Sequence, residues 1–466
     1  MFKHPALVLA FIFFILLTIF SFNIPFFWDG IFFSKSADFF YNNSFATLIP
    51  PIDFDTGNFP FFGIYMSAFW KIFGKNLIVS HLAILPFLFG IAFEFYKIVS
   101  RYFSKKFLFF SIILLCLEPT FLTQSIIMAY DIILLYFYLL SLNLILQNKT
   151  KLLWLSLVLL AFSSMRGIVA EFSLLIFFIL NKRSENKIEM KKMYFAFSIS
   201  ILFLCLWSIF HFYKTDWALF SPLRKRSDEH IVSFTMFFRQ MFYSVWKLLD
   251  FGRIFQWVFL LSMTIYYFRK RKITAENKEL LLIILVPTIV FILFFSFLSN
   301  PIGHRYFLIP IVLMIIGVTY FLSKFKNSKI QISTFLLFCV LLVSGNFWIY
   351  PEKYGNGWDC SLKVLPYFSL QKEVTNYIET EKINPKEIAT GFPLFNDPRF
   401  SYLQNNPTIL IDKNSNELSN FKYVLQSNIC NDFTQNEINE LENKWFLLKV
   451  FKKGQIYLKF YSKTKK

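Results

Sequence analysis

Eleven apolar runs recur between residues 5 and 349, at 5–27, 77–99, 107–117, 128–147, 152–165, 168–181, 193–213, 254–268, 279–299, 304–323 and 330–349. Inside a bilayer a backbone has no water to bond to, so such runs fold as helices that satisfy their own N–H and C=O groups. The expected fold class is therefore an α-helical polytopic membrane protein with about eleven transmembrane helices. The first run lacks a small-residue cleavage site and outruns the apolar core of a signal peptide, so it reads as a retained span. The net charge of +19 does not point to nucleic acid, because most Lys and Arg fall in short connections between spans, where they set orientation and meet anionic lipid.

Basic clusters stand at Arg101/Lys105/Lys106, Lys149/Lys151, Lys182/Arg183/Lys187/Lys191/Lys192, Arg269/Lys270/Arg271/Lys272 and Lys324/Lys326/Lys329. An even number of runs separates each cluster from the next, so all five fit on the cytoplasmic side. The N-terminus is then inside and everything after Tyr350 outside, as expected for a bacterial-type inner (plasma) membrane. The basic stretch "RKR" at 224–226 falls on the outer side, in a loop long enough to escape the charge rule. Residues 59–74, "FPFFGIYMSAFWKIFG", are short for a span and carry Trp70 and Lys71, which suits an interfacial helix. Beyond Pro351 the composition turns polar. A helix is expected over 367–383 and another over 434–443, with strands at 407–412 and 422–428 and a hairpin around Lys453-Gly454. The expected division is a membrane domain, 1–350, and a small extracytoplasmic α/β domain, 351–466.

No Gly-rich phosphate loop, HExxH or CxxC motif is present, which removes the usual signatures of nucleotide-driven transport and zinc proteolysis. The remaining chemistry lies in polar residues at the outer ends of spans: Asp29, Asp53, Asp55, Glu118, Asp131, Arg166, Glu171, His304 and Arg305. Plain structural roles exist for several. Asp53 and Asp55 suit Asx turns, Glu118-Pro119 can end a helix, and Arg305 can snorkel to the interface with His304 beside it. Asp131 and Arg166 sit in or between apolar runs, where an unpaired charge costs roughly 2.5–3.5 kcal/mol on insertion scales. Something must compensate them.

The order of these pieces carries a resemblance. An outer loop opens on "WDG" (28–30); "DTGNFPFFGIYMSAFWKIFG" (55–74) and "EPTFLTQSIIMAYD" (118–131) follow; then come a helix pair turning at "SSMRG" (163–167), "HRYFLIP" (304–310) and an outer soluble domain. The chain resembles the GT-C glycosyltransferases, in the branch of protein O-mannosyltransferases and lipid A aminoarabinose transferases. It departs from them at 57–60, reading "GNFP" where many members read "GHPP". The resemblance implies an inverting sugar transfer from a polyprenyl-phosphate donor to an acceptor hydroxyl on a glycan, lipid or protein. It places the catalytic base at Asp29.

Positive charge is then needed at the leaving phosphate, and Arg166, Arg305 and His304 can supply it. Asp55, Glu118 and Asp131 can orient those arginines, bind sugar hydroxyls or hold a divalent metal ion. Two other classes compete: a transporter or flippase of lipid-linked sugars, and a non-catalytic membrane scaffold. Of the five cysteines, Cys360 and Cys430 alone fall in the expected outer domain, where an oxidising compartment favours a bridge between them.

Overall fold

The structure is a computed structural model that describes residues 4–464 except 104, 182–186, 220–221, 223–231, 271–273, 300, 352–353, 406–407 and 431. The "RKR" stretch and the cluster residues Lys182, Arg183, Arg271 and Lys272 lie outside the described residues. Each of the eleven apolar runs carries a helix. The first nine helices are α1 Pro5–Ser21, α2 Asp29–Asn42, α3 Phe61–Phe73, α4 Leu77–Val99, α5 Lys105–Leu117, α6 Pro119–Ile126, α7 Asp131–Leu146, α8 Leu153–Ser163 and α9 Met165–Asn181. The helical region continues through α10 Lys187–Thr215, α11 Phe234–Leu249, α12 Ile254–Arg269, α13 Ala275–Ser296, α14 Leu308–Ser323 and α15 Ser328–Gly345. Among the described residues, five helical segments are long and apolar enough to cross a membrane alone, and up to seven if each of two bent pairs counts as one span. Those pairs are α5 with α6, bent by 59°, and α11 with α12, bent by 97°. Four shorter apolar helices, α1, α3, α7 and α8, pack among them. The chain is an integral membrane protein.

Helix α14 is the bundle's centre, buried along its length from Leu308 to Leu322. By contrast, α10, α12 and α15 turn large apolar side chains outward, among them Ile209, Leu261 and Val340, as a lipid-facing surface requires. One end of the bundle gathers the basic connections. Lys106 at the start of α5 donates to Gln331 on α15 (2.7 Å), Tyr102 donates to Glu279 on α13 (2.7 Å), and Asn181 at the end of α9 reaches the same Glu279 (3.1 Å). The starts of α2, α7, α9 and α14 meet at the opposite end.

Two segments differ from expectation. Residues 29–42 form a helix rather than an open loop. Gly30, Ser34 and Ala37 recur at helical spacing on the buried side of α2, and small side chains let it pack closely on α3, where Gly63 faces Ser36. Helix α3 is no surface anchor through Trp70, which is fully buried and donates its indole N–H to Ser80 (2.8 Å).

After α15 the chain forms α16 Leu365–Thr380, β1 Ile388–Thr390, α17 Pro398–Ser401, β2 Ile411–Asp412, β3 Tyr423–Ser427, α18 Gln435–Lys444, β4 Phe446–Lys453 and β5 Ile456–Ser462. The sheet order is β2-β1-β3-β5-β4, parallel at β2-β1-β3 and antiparallel from β3 onward. Gly454, at φ +60°, turns the expected β4–β5 hairpin. Strand β1 is too short to show an alternating pattern and escapes sequence reading. This unit is docked by an apolar cluster joining Trp358, Tyr367 and Phe368 to Ile24, Phe27, Ile126 and Ile127 of the helical part. Phe26 also donates its backbone N–H to the Ser401 carbonyl (2.9 Å).

The expected Cys360–Cys430 bond does not form. The Cys360 thiol donates to Asp359 (3.2 Å) and the Cys430 thiol to Asp432 (3.3 Å). Burial first, and then the neighbouring Asp359 carboxylate, push the Cys360 thiol well above its ordinary pKa, away from the reactive thiolate.

Candidate active site

The site begins with the turn into α2. Trp28 takes a left-handed backbone (φ +54°) that starts the helix at Asp29, whose carboxylate sits at the positive helix N-terminus. Its side chain is 43% exposed, and it accepts from Arg305 Nη2 at 2.5 Å. Arg305 itself is buried, in the 3-10 turn His304–Phe307 that leads into α14. Its Nη1 bonds Asp359 at 2.9 Å, while Nε has no hydrogen-bond partner among the described residues.

A second buried pair stands beside the first. Arg166 Nη1 bonds Asp131 at 2.5 Å, Nη2 reaches the other carboxylate oxygen at 3.3 Å, and Nη2 also donates to the Tyr130 hydroxyl. This two-pronged pairing compensates the two intramembrane charges that the sequence left unmatched. Tyr306 joins the two arginines: the Arg166 guanidinium lies 4.5 Å from its ring centre and that of Arg305 5.6 Å. Gly167 makes the turn possible, because a Cβ there would overlap the Leu160 carbonyl oxygen where α8 and α9 meet. Asp29, Asp131, Asp359, Arg166 and Arg305 thus form one cluster of three carboxylates and two guanidinium groups, open to solvent at Asp29.

Four of the sequence candidates lie in other networks, among them Glu171, which is buried and accepts from the Ser200 hydroxyl at 2.9 Å. His304 is wholly buried, stacked on Phe251 (4.2 Å between ring centres) and hydrogen-bonded to Asp250 through Nε2 at 2.6 Å. It therefore faces away from the cluster that holds its neighbour Arg305. Glu118 caps α6, accepting from the Phe121 N–H (2.6 Å), and pairs with Arg253 (2.8 Å). Asp55 accepts from the Gly57 N–H (2.8 Å) and faces His211 Nε2 (2.8 Å), in a buried corner closed by Trp207 and Trp217. Among the described residues, no group of three or more His, Cys, Asp or Glu is placed to hold a metal ion. Glu118 and Asp131 each face a guanidinium group, of Arg253 and Arg166 respectively.

Asp359, Tyr130 and Tyr306 belong to the cluster without having been singled out. Tyr130 and Tyr306 each adjoin a charged candidate, and their aromatic identity is common in a chain that is 21% aromatic. Asp359 lies in "GWDC", which reads as a linker; only the tertiary fold returns it to the site.

No protein-family profile matches the sequence, and no curated protein matches it. Solved structures do match its fold. ArnT from Cupriavidus metallidurans bound to undecaprenyl phosphate superposes with a TM-score of 0.57 at 11% identity, covering 98% of both chains. Its apo form gives 0.57 at 10% identity. The archaeal oligosaccharyltransferase AglB from Archaeoglobus fulgidus, in complex with an inhibitory peptide and a dolichol-phosphate, gives 0.51 at 12% identity, covering 91% of this chain and 69% of AglB. The chain therefore has the GT-C fold, with the small sheet-containing unit following the helical part. ArnT, a lipid A aminoarabinose transferase, and AglB are both GT-C glycosyltransferases.

Proposed function

We propose that this protein is a membrane glycosyltransferase that moves a sugar from a polyprenyl-phosphate donor to an acceptor hydroxyl at the outer face of the membrane. The observation that carries the reading is the juxtaposition of a part-exposed carboxylate, Asp29, with the buried guanidinium groups of Arg305 and Arg166. In the reaction, the acceptor oxygen attacks the anomeric carbon as the bond from that carbon to the phosphate oxygen breaks. The polyprenyl phosphate leaves, and the acceptor proton passes to Asp29 as general base. Arg305 and Arg166 stabilise the charge growing on the leaving phosphate from a low-dielectric setting, where fixed positive groups act most strongly. Attack opposite to departure inverts the anomeric centre.

Support for the donor class comes from the fold neighbours, one solved with undecaprenyl phosphate and one with a dolichol-phosphate. The acceptor is a glycan, lipid or protein hydroxyl. The unit from 351 onward lies on the extracytoplasmic side of a bacterial-type inner membrane, together with the site.

The test is sugar transfer by purified protein from lipid-linked donors, with Asp29→Asn as the decisive variant. The substitution keeps the shape and removes the base, so transfer should fall by at least about 100-fold at unchanged expression. Full transfer by Asp29→Asn would overturn the assignment of the base. Movement of lipid-linked sugar across vesicles without any transfer would favour a flippase.

A further inference from the structure

Arg305 divides its two terminal nitrogens between two unlike carboxylates. Asp29 is 43% exposed and Asp359 only 6%. Asp359 comes from outside the helical bundle, in the 3-10 turn Trp358–Cys360 beyond α15. Contacts independent of Arg305 hold that turn in place. Gln124 Nε2 donates to the Asp359 carbonyl at 2.6 Å. Lys363 Nζ ties the segment together by donating to the Trp348 (2.7 Å) and Asn356 (2.6 Å) carbonyls. Gly357, at φ +62°, comes so near the His304 ring that a Cβ would lie 2.5 Å from Nδ1. Asp359 is thus a buried, pre-placed anchor for a guanidinium whose Nε remains unpartnered among the described residues.

We propose that Asp359 is a positioning residue for the donor subsite: it grips Arg305 through Nη1, so that the Nη2 edge is held by Asp29 at rest and passes to the donor phosphate on binding. The inference rests on the polyprenyl-phosphate reading above. An arriving phosphate adds negative charge where three carboxylates already face two guanidinium groups, so one carboxylate must give way. Asp29 gives way at lower cost, because its exposed oxygens regain water. Asp359 would be left as an uncompensated buried charge. The exchange breaks no covalent bond and moves no proton, and it frees Asp29 when the donor is seated.

The sign of one measurement separates positioning from simple charge. If Asp359 acted only as a nearby negative charge, removing it would tighten anion binding. If it holds Arg305, removing it loosens anion binding. The experiment measures binding of undecaprenyl monophosphate, and of uncharged undecaprenol as control, to the full chain in nanodiscs. Asp359→Asn should weaken the phosphate lipid by about tenfold or more, the scale of a lost charged hydrogen bond, and leave undecaprenol unchanged. Asp359→Glu should fall between Asp359→Asn and the wild type. Equal or tighter phosphate-lipid binding by Asp359→Asn overturns the proposal alone, and equal weakening of both lipids reduces Asp359 to a structural role. If Asp359→Asn does not fold, Asp359→Glu decides, and wild-type affinity in that variant overturns the proposal. Failure of the wild type to bind the phosphate lipid overturns the donor reading and this inference with it.

Discussion

Adjacent residues 304 and 305 show how burial assigns different work to neighbouring side chains. Arg305 points into the cluster with Asp29 and Asp359, whereas His304 turns back onto Asp250 and Phe251. His304→Leu should therefore act on stability. It removes one of the hydrogen bonds to the buried Asp250 carboxylate, which keeps those from the Phe251 N–H and the Tyr350 hydroxyl, a change that costs about 1–3 kcal/mol, visible as a lowered thermal midpoint in detergent. Donor affinity of the folded fraction should stay at the wild-type value; a tenfold loss would return His304 to the phosphate site. Arg166→Lys should behave in the opposite way. A lysine offers one point charge where Arg166 grips both Asp131 oxygens and packs on Tyr306, so initial rates of sugar transfer should drop by about tenfold or more.

Among the elements, the turn between α8 and α9 is the most sensitive to a small change. Gly167→Ala places a methyl group against the Leu160 backbone carbonyl, which cannot rotate away as a side chain would. The two helices must separate, at about 1–3 kcal/mol, and carry Arg166 with them. A lower thermal midpoint together with slower sugar transfer is expected, and unchanged values of both would show that the turn relaxes freely.

Helix α18 tests the sheet-containing unit by pH. Thr434 and Glu437 form a capping box, and Glu437 also pairs with Lys413 (2.9 Å). Although burial works the other way, bonds from Lys413 and Thr434 hold the Glu437 carboxyl below its usual value. A depressed folded-state value contributes stability that is fully present above the unfolded carboxyl's pKa and is lost as pH falls through the lower folded value. Amide protection factors over 435–444, taken relative to the intrinsic exchange rate at each pH, should thus fall on acidification below about pH 4.5, the ordinary Glu range. Thr434→Ala should raise exchange at neutral pH by the equivalent of about 1 kcal/mol.

At the scale of the whole molecule, the basic connections and the acid–guanidinium cluster occupy opposite ends of one bundle. By the positive-inside rule, that separation predicts the basic end inside and the cluster outside. In a cysteine-free background, a membrane-impermeant thiol reagent added to intact cells should label a cysteine introduced at Asn416 and miss one at Lys270. The reverse pattern would move the site to the cytoplasmic face. The sheet-containing unit is also no loose appendage, since Trp358, Tyr367 and Phe368 share an apolar cluster with the end of α1 and with α6.

The periodic apolar runs by themselves determined the helical membrane architecture, because lipid offers the backbone no other partner. They likewise marked Asp131 and Arg166 as charges needing compensation, and the residue order around Asp29 and Arg305 carried the likeness to the GT-C fold. Tertiary structure alone decided the partners. Asp131 takes Arg166, Glu118 takes Arg253, and Asp55 faces His211, although all three acids look alike along the chain. It alone brought Asp359 across 54 residues to Arg305. Sequence periodicity reports which face of an element is apolar. Which charges meet depends on how separate elements pack, and a buried charge accepts whichever counter-charge that packing brings within hydrogen-bond reach.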